Sequence, residues 1–501
     1  MTIRIALLGL AVCMFTFSST AQIQRPTQLV PPPNYVDALR MSQNDIIYSA
    51  KALGMGNAFA TLGGEYTAVL MNPATLGLID STTFSFSTNF RAFTNNTTYL
   101  SNTSDFSTNS SKLSQFGMAA PLELASRNVV IALGFSQSKD FNNSLKATGF
   151  NSQPSSLIQT LTGLNSAIPA NLRLSYATFD SSGQYVGDQT VINGNLNQGA
   201  YVLDYGGITN FSFGLTLKVF EGVMVGASAN YNGGTYTSDR EFYETDTRDI
   251  YGSSVLTDPS DPATADFNEF YVHDVREAEY RGFDLRFGLL FKLWNFVSAG
   301  GAVKVPMPTT ITETRYLNGR SSFGTGSQFT FADPARQTRQ TVQLPFELTL
   351  GAAVNLWIIR ATAQATYIDY TQMQYSEGLP LNEITLANKD IKDIFRPVIN
   401  VNAGAEVDIP FTGISARAGF MWIPSPYASD KPDWESDEPI PYDRKYLTAG
   451  LGLNFSDMLA LDVGYTVGWW DQVRSNYGIK VENVKQEIIV HNVILTTRFV
   501  F

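Results

Sequence analysis

The sequence predicts an all-β protein: a transmembrane antiparallel β-barrel of about fourteen strands over residues 81–501, with residues 22–80 forming an N-terminal hatch that plugs the lumen. Three observations predict it. From about Thr82 to the end, short segments alternate large apolar residues with small or polar ones, the period of a strand with one face in lipid and the other in a lumen. Tight and long links alternate down the chain, as when short turns face the periplasm and long loops face outside. Beyond the leader no apolar run is long enough for a membrane-spanning helix, because Gly, Ser, Thr, Asn or a charge breaks each within a few residues.

The leader comes first. Arg4 precedes an apolar run from Ile5 to Phe17, and Ser19-Thr20-Ala21 supplies the small residues of a signal-peptidase site, so residues 1–21 are expected to be removed after Ala21. The run is shorter than the roughly 20 residues that span a bilayer. Cys13, the only cysteine, lies inside this run behind Val12 rather than a small residue, which argues against lipidation and leaves the mature chain without a thiol.

The next sixty residues do not follow the strand pattern. Pro26 and the run Pro31-Pro32-Pro33 favour extended chain. From Ile46 to Gly77 small residues dominate and short helical stretches are punctuated by glycine, a composition suited to packing in a confined space. Pro73 fixes its own φ and biases Asn72 away from helix, so Asn72-Pro73-Ala74 makes either a rigid elbow or a simple turn into the first strand. Gly54 and Gly56, with Gly63 and Gly64, let the backbone bend and approach a wall, or are loop glycines.

Strands are expected near residues 82–93, 112–120, 127–137, 209–220, 223–233, 276–292, 296–305, 340–354, 357–370, 395–408, 413–424, 443–455, 458–471 and 487–501. In the clearest, Leu459, Leu461, Val463, Tyr465, Val467 and Trp469 point one way, and Ala460, Asp462, Gly464, Thr466 and Gly468 the other. Phe211 to Val219 and Phe283 to Phe291 behave likewise. The opposing faces are rich in Gly, Ser, Thr and Asn, which suits a crowded lumen better than the long polar side chains of a soluble sandwich. Links near Phe220-Glu221-Gly222, Leu293-Trp294-Asn295, Asn355-Leu356, Pro410-Phe411-Thr412 and Ser456-Asp457 are tight, whereas 138–208, 234–275, 306–339, 371–394, 425–442 and 472–486 are long. Phe501 ends the chain and shares its strand face with Phe499, Leu495 and Val493, a pattern resembling the signal by which the outer-membrane assembly machinery recognises its clients.

Composition agrees with β structure and excludes several functions. The chain has 33 Phe, 23 Tyr and 39 Gly beside only 16% charged residues. A net charge of -11 argues against nucleic acid, which needs a basic surface. His273 and His491 have no cysteine or acidic partner at ligand spacing, no Gly-x-Ser-x-Gly elbow occurs, and Gly54-Met55-Gly56 lacks the dinucleotide-binding continuation, so no enzyme, metal or cofactor is expected. The acidic run Asp430 to Glu438 reads as a solvated loop, with weak Ca²⁺ binding as the alternative.

The Gly-rich stretch leading to Asn72-Pro73-Ala74 about ten residues before the first strand resembles the N-terminal hatch of the FadL/TodX family of outer-membrane transporters for hydrophobic compounds. Asp37-Ala38-Leu39-Arg40 and Gly54-Met55-Gly56 are most similar to members from Bacteroidetes. The resemblance implies a monomer in outer-membrane lipid, met during biogenesis by the barrel assembly machinery, that passes long-chain fatty acids or aromatic hydrocarbons passively, without a cofactor. It also implies a hatch that moves near Asn72, Pro73 and Ala74, and a lateral exit at a kink in the third strand, for which Gly134 is the candidate. In the long loop after that strand, Leu157, Ile158, Leu161, Leu164 and Ile168 fall near helical spacing. They form either a greasy landing site for ligand or a cap packed over the mouth. Two other functions stay open: a component of protein secretion in Bacteroidetes, and a porin for polar solutes.

Overall fold

The computed structural model describes residue 25 and residues 34–43, 45, 49–124, 127–294, 296–428, 443–475 and 483–501. The expected leader with Cys13 and the expected cleavage site after Ala21, Pro26, Pro31 to Pro33, Ile46 to Tyr48, Asn295 and the acidic run 430–438 lie outside the described residues.

The strands are β1 Thr83–Tyr99, β2 Asn102–Leu124, β3 Arg127–Asp140, β4 Asn143–Asn151, β5 Tyr176–Phe179, β6 Tyr185–Gln189, β7 Leu196–Phe220, β8 Val223–Thr245, β9 Phe267–Leu293, β10 Val297–Pro306, β11 Thr309–Phe323, β12 Gln328–Gln343, β13 Glu347–Leu356, β14 Ile359–Asp369, β15 Gln374–Glu377, β16 Pro397–Ile409, β17 Ile414–Ile423, β18 Arg444–Ser456, β19 Leu459–Ser475 and β20 Asn483–Val500. The helices are α1 Asn34–Ser42, α2 Ala50–Gly54, α3 Ala68–Met71, α4 Leu157–Gly163, α5 Ala167–Asn171 and α6 Leu381–Ile394.

The sheet closes through an antiparallel ladder from Thr83↔Val500 to Thr98↔Lys485, so the wall has no free first or last edge. It is a closed 14-strand antiparallel barrel. β10 and β11 form one stave, as do β12 with β13 and β14 with β15; β4 prolongs the line of β3, and β5 and β6 make a separate hairpin. The outer face carries the large residues: Phe211 and Phe213 are 57% and 53% exposed, while Ser212 and Thr216 between and beyond them are buried inward.

All fourteen expected segments are strands, but their upper limits differ. About ten residues suffice to cross the apolar layer, whereas β7, β8 and β9 have 25, 23 and 27. They run well beyond that length, and a lipid layer of that thickness would impose an apolar outer face on their lower parts alone. The upper part of β8, Thr237 to Thr245, accordingly loses the large-small alternation. For the same reason half of the link read as long at 234–275 and most of that at 306–339 are strand, and β1 and β2 meet in a tall hairpin turning at Leu100 and Ser101.

Inside, the chain from Ser49 to Leu78 lies against the small-residue face of the wall. α2 touches β17 to β20, and the 3₁₀ turn Pro73–Leu78 touches β3, β7, β8 and β9. The contact is backbone to backbone. A β-carbon at Gly56, whose φ is +61°, would stand 2.5 Å from Ala403 O, and one at Gly226 would stand 2.5 Å from Ala74 N. Above, α1 packs with α6 and inward wall residues such as Ile208, Tyr236 and Tyr280. A second apolar cluster, with α4, Tyr99, Phe242 and Phe270, covers the mouth.

Candidate functional site

Asn72 is fully buried in extended conformation, as a residue before proline requires. Its Oδ1 accepts from Ala74 N at 3.1 Å, and its Nδ2 donates to Ala60 O at 2.7 Å and to Leu289 O of β9 at 3.1 Å. Pro73 O accepts from Thr216 of β7, Leu70 O from Arg286 of β9, and Val69 O from Ser228 of β8 at 2.9 Å. The elbow is thus fastened to three neighbouring staves. Around Gly54 and Gly56 the pattern repeats: Thr448 donates to Gly54 O at 3.2 Å and Asn402 to Gly56 O at 2.7 Å. Gln364 Oε1 accepts from Phe59 N at 3.1 Å and Ala60 N at 2.9 Å.

These wall residues were not singled out from sequence. Their one signal is the unusual abundance of Thr, Asn and Gln on the inward face, which supplies partners for the irregular backbone of the filling segment.

Higher up, a cavity of about 180 Å³ lies between α1 and the wall, room for about six waters at ~30 Å³ each. Four cations, Arg40, Arg91, Lys139 and Arg444, face it against three carboxylates, Asp45, Asp140 and Asp204, with Phe93 and Trp470 as apolar flanks. Arg40 is bonded to Asp37 and lies 4.1 Å over the Tyr236 ring.

Beside this cavity the wall splits. β3 is paired with β2 only as far as Gln115↔Ser136; its register against β7 slips between Gln137 and Lys139. β4 then follows β7 and lies against the inner side of β1, where Asn95 donates to Ser144 O at 2.7 Å. From Asn102 to Ser114 no wall strand other than β1 is laddered to β2. Lys112 spans the gap, donating to Asp140 and to Gly206 O at 2.8 Å each, and Ser110 donates to Asp140 at 2.8 Å.

The expected kink at Gly134 is therefore corrected. Gly134 is paired to Gly117 on one side and Ser212 on the other, with no bulge. Glycine is required there because the β2 backbone comes close: a β-carbon would stand 2.5 Å from Phe116 O and 2.6 Å from Gly117 Cα, with the Tyr66 ring next at 2.8 Å.

In the mouth loop, Leu157, Ile158, Leu161 and Ile168 are buried among Phe242, Phe267 and Phe270, and only Leu164 is open, at 50%. Of the two readings of this loop, landing site or cap, the burial agrees with the packed cap, and these residues offer no exposed landing surface. Open apolar residues lie instead on the β5–β6 hairpin, at Phe179 and Val186. The cap is pinned by Glu244, which accepts from Leu157 N at 2.7 Å, Ile158 N at 3.3 Å and Gln198 at 2.7 Å. Glu244 stands twenty-one positions above the start of β8, beyond the roughly ten that cross the membrane. Burial pushes its carboxyl up to about 7 against the pull of those three donors.

Phe501 and Phe499 lie at the end of the barrel opposite the cap, Phe499 facing outward and Phe501 packed edge-on against Phe84 at 5.8 Å. Among the described residues no group of three or more His, Cys, Asp or Glu is placed to hold a metal ion. His273 pairs with Asp239 at 2.7 Å on the partly exposed upper wall.

No family model matches the sequence, and no curated protein does. Solved structures match the fold over nearly the whole chain. The toluene transporter TodX of P. putida is similar at a TM-score of 0.54 and 12% identity, over 91% of this chain and 99% of that one. A FadL homologue of Pseudomonas aeruginosa is similar at 0.52 and 11%, over 90% and 98%. The shared architecture is that of FadL-type outer-membrane barrels.

Proposed function

We propose that the protein passes hydrophobic small molecules, long-chain fatty acids or aromatic hydrocarbons, passively across an outer membrane. In this reading residues 1–21 are a removed leader, 22–80 are the hatch, and 81–501 are the barrel. The observation that carries it is the cavity above the filling segment, one of whose lining residues, Asp140, is bonded across the β2–β3 split to Lys112 and Ser110: a ligand held there has a dense floor beneath it and a seam without ladder bonds near it. The arginines Arg91 and Arg444 facing the cavity suit an acid head group, and Phe93 and Trp470 suit an apolar tail or ring. The cap opens to admit ligand, the hatch bars straight descent, and the side seam gives exit. No energy source is required.

Uptake of radiolabelled oleate and of toluene by cells with and without the protein tests this. A several-fold gain for either probe is expected; equal uptake of both overturns the reading. A plugged barrel should also be nearly silent in planar bilayers, whereas a large steady current would make it a porin for polar solutes. A role in protein secretion is favoured by one observation, the open Phe179 and Val186 on the β5–β6 hairpin, and co-purification of a secreted cargo domain would establish it.

A further inference from the structure

On the side of the wall formed by β9 to β14, a second seam lacks its ladder. Between the β10–β11 and β12–β13 staves pairing stops at Lys304↔Glu347 and resumes at Thr309↔Val342. Residues 305–308 therefore face 343–346 across the gap in unchanged register, and three of these eight, Pro306, Pro308 and Pro345, have no N–H to give. The next seam is interrupted at the same level. It stops at Glu347↔Ile368, detours through the turn Tyr370–Gln372, and resumes at Gln343↔Gln374. The break sits one ten-residue strand, β10, above the periplasmic turn, which at a tilt of ~40° is about 25 Å, the outer edge of the apolar layer.

Cavities approach this break from both sides. From the lumen, one of about 40 Å³ extends from Met41 and Lys139 to Phe283, Pro306 and Leu344. Phe283 belongs to the outer face, 53% exposed. On the lipid side, just below the break, lies a groove of about 550 Å³, within the ~300–1,000 Å³ of small-molecule sites. Phe287 and Leu289 of β9 form one bank, Leu348 and Leu350 of β13 the other, and Ala299 and Gly301 of β10 the floor. Leu344 closes the break from inside, packed against the α1 cluster, and Gln343 spans it with a bond to Pro306 O at 2.8 Å.

We infer that this break is a second side passage, distinct from the β2–β3 split, and that the groove beneath it binds an unbranched hydrocarbon chain leaving the lumen for the outer leaflet. Parting any fully laddered seam breaks two backbone hydrogen bonds at every second pair of residues, but here four consecutive positions have none to lose. A turn of Leu344 and release of one glutamine bond are enough to join the two cavities. The small inner cavity mixes apolar groups, Met41, Ile208 and Leu344, with Lys139, Asp284, Arg286 and Lys304, so a slender chain can lie toward Leu344 while a polar head stays on the charged side. The groove is lined by twelve apolar or small residues and no charge, so a chain tip arriving there passes from the groove into lipid without meeting water.

The inference rests on the transport reading, and the test separates the two. No cysteine occurs among residues 25–501, so Met307→Cys with Leu344→Cys can be joined across the break by a short bifunctional thiol reagent. Ala403→Cys with Phe420→Cys, a laddered pair on β16 and β17, serves as control. Radiolabelled oleate uptake is measured in cells lacking their own fatty-acid channel. At least a fivefold loss on joining 307 to 344, restored by a cleavable linker's reduction and absent in the control, is expected. Unchanged uptake after joining overturns the second passage and leaves transport standing; no uptake by the unaltered protein overturns both. A measurement without substitutions guards against faulty assembly: a diazirine-bearing oleate in vesicles holding the unaltered protein should label the peptide around Phe287 to Val303 at least threefold above the equally lipid-facing β17–β18 hairpin. Equal labelling overturns the groove.

Discussion

In the lower half of the lumen the chain from Ser49 to Leu78 is fixed to the wall through its own backbone groups, which bond to inward Thr, Asn, Gln and Ser side chains or lie directly on wall glycines. In the upper half α1 and the cap meet the wall through apolar side chains and a few ion pairs around a polar cavity. Backbone bonds at fixed spacing hold one arrangement only, since each buried carbonyl or N–H left without a partner costs about 1–3 kcal/mol. Side-chain clusters repack more readily. Motion during passage therefore belongs above Asn72, and the lower segment acts as a floor.

The sharpest way to break this contrast is to lift the floor. Gly226→Val places a branched side chain where Ala74 N and Pro73 C lie 2.5 Å from the β-carbon, an overpacking of about 3 kcal/mol or more. Loss of the folded, heat-modifiable form on gels is expected. A barrel that assembles normally would mean that the elbow is not seated on β8.

Asn72→Ala is the next largest. It strips the partners from Ala60 O, Leu289 O and Ala74 N, all held by one side chain, about 2–4 kcal/mol, yet leaves the wall ladder intact. The expected result is a folded barrel with faster hydrogen exchange over residues 58–76 and a measurable ion conductance. Unaltered exchange there would move the hinge below the elbow and reverse the assignment of floor and gate.

The cap carries the third effect, a dependence on pH. Glu244 is raised from the ordinary carboxyl value of 4.5 to about 7 when the cap is closed. The closed state is favoured most below the lower value, and that advantage is lost as pH rises through the upper one, because the open state releases its proton first. With those two values, cap opening should increase about 70-fold between pH 5 and pH 8, read as hydrogen exchange of the α4 amides. In Glu244→Gln the increase should vanish. A cap that opens equally at both values would show that Glu244 stays hydrated when the mouth is shut.

What could be read from sequence follows the solvent. Where lipid meets one face and a crowded lumen the other, as in Phe211 to Val219 or Leu459 to Trp469, the alternation is forced and the strands are countable. Above the membrane both faces meet polar surroundings, and the upper parts of β8 and β9 were legible only as loops. Gly134 reads in sequence as a candidate kink, because a glycine inside a strand marks a bulge and a close approach of neighbours with the same letter; only the β2 backbone and Tyr66 crowding it distinguish the two. The apolar spacing of Leu157 to Ile168 announced a buried helical face without naming what buries it, since its partners Phe242 and Phe270 come from strands about a hundred residues away. The break at Pro306 and Pro345 fell between a segment read as loop and one read as an unbroken strand, and became visible only once register set the two prolines opposite each other.

The smallest effect tests the β2–β3 seam itself. Lys112 is partly exposed, 30% for its side chain, and its bond to Asp140 at 2.8 Å is one of only two side-chain hydrogen bonds to that carboxylate from the β2 edge. Solvent screening keeps such a pair to within about 1 kcal/mol, and Arg91 at 3.9 Å still faces Asp140 when the lysine is gone. Lys112→Ala should therefore leave melting almost unchanged while loosening the seam, so that a spin label at Ser110→Cys gains mobility and oleate uptake rises by about twofold. If the label stays fixed and uptake is unaltered, the seam is held by β4 against β1 through Asn95 and Thr97, and exit at this side of the barrel requires the cap to move first.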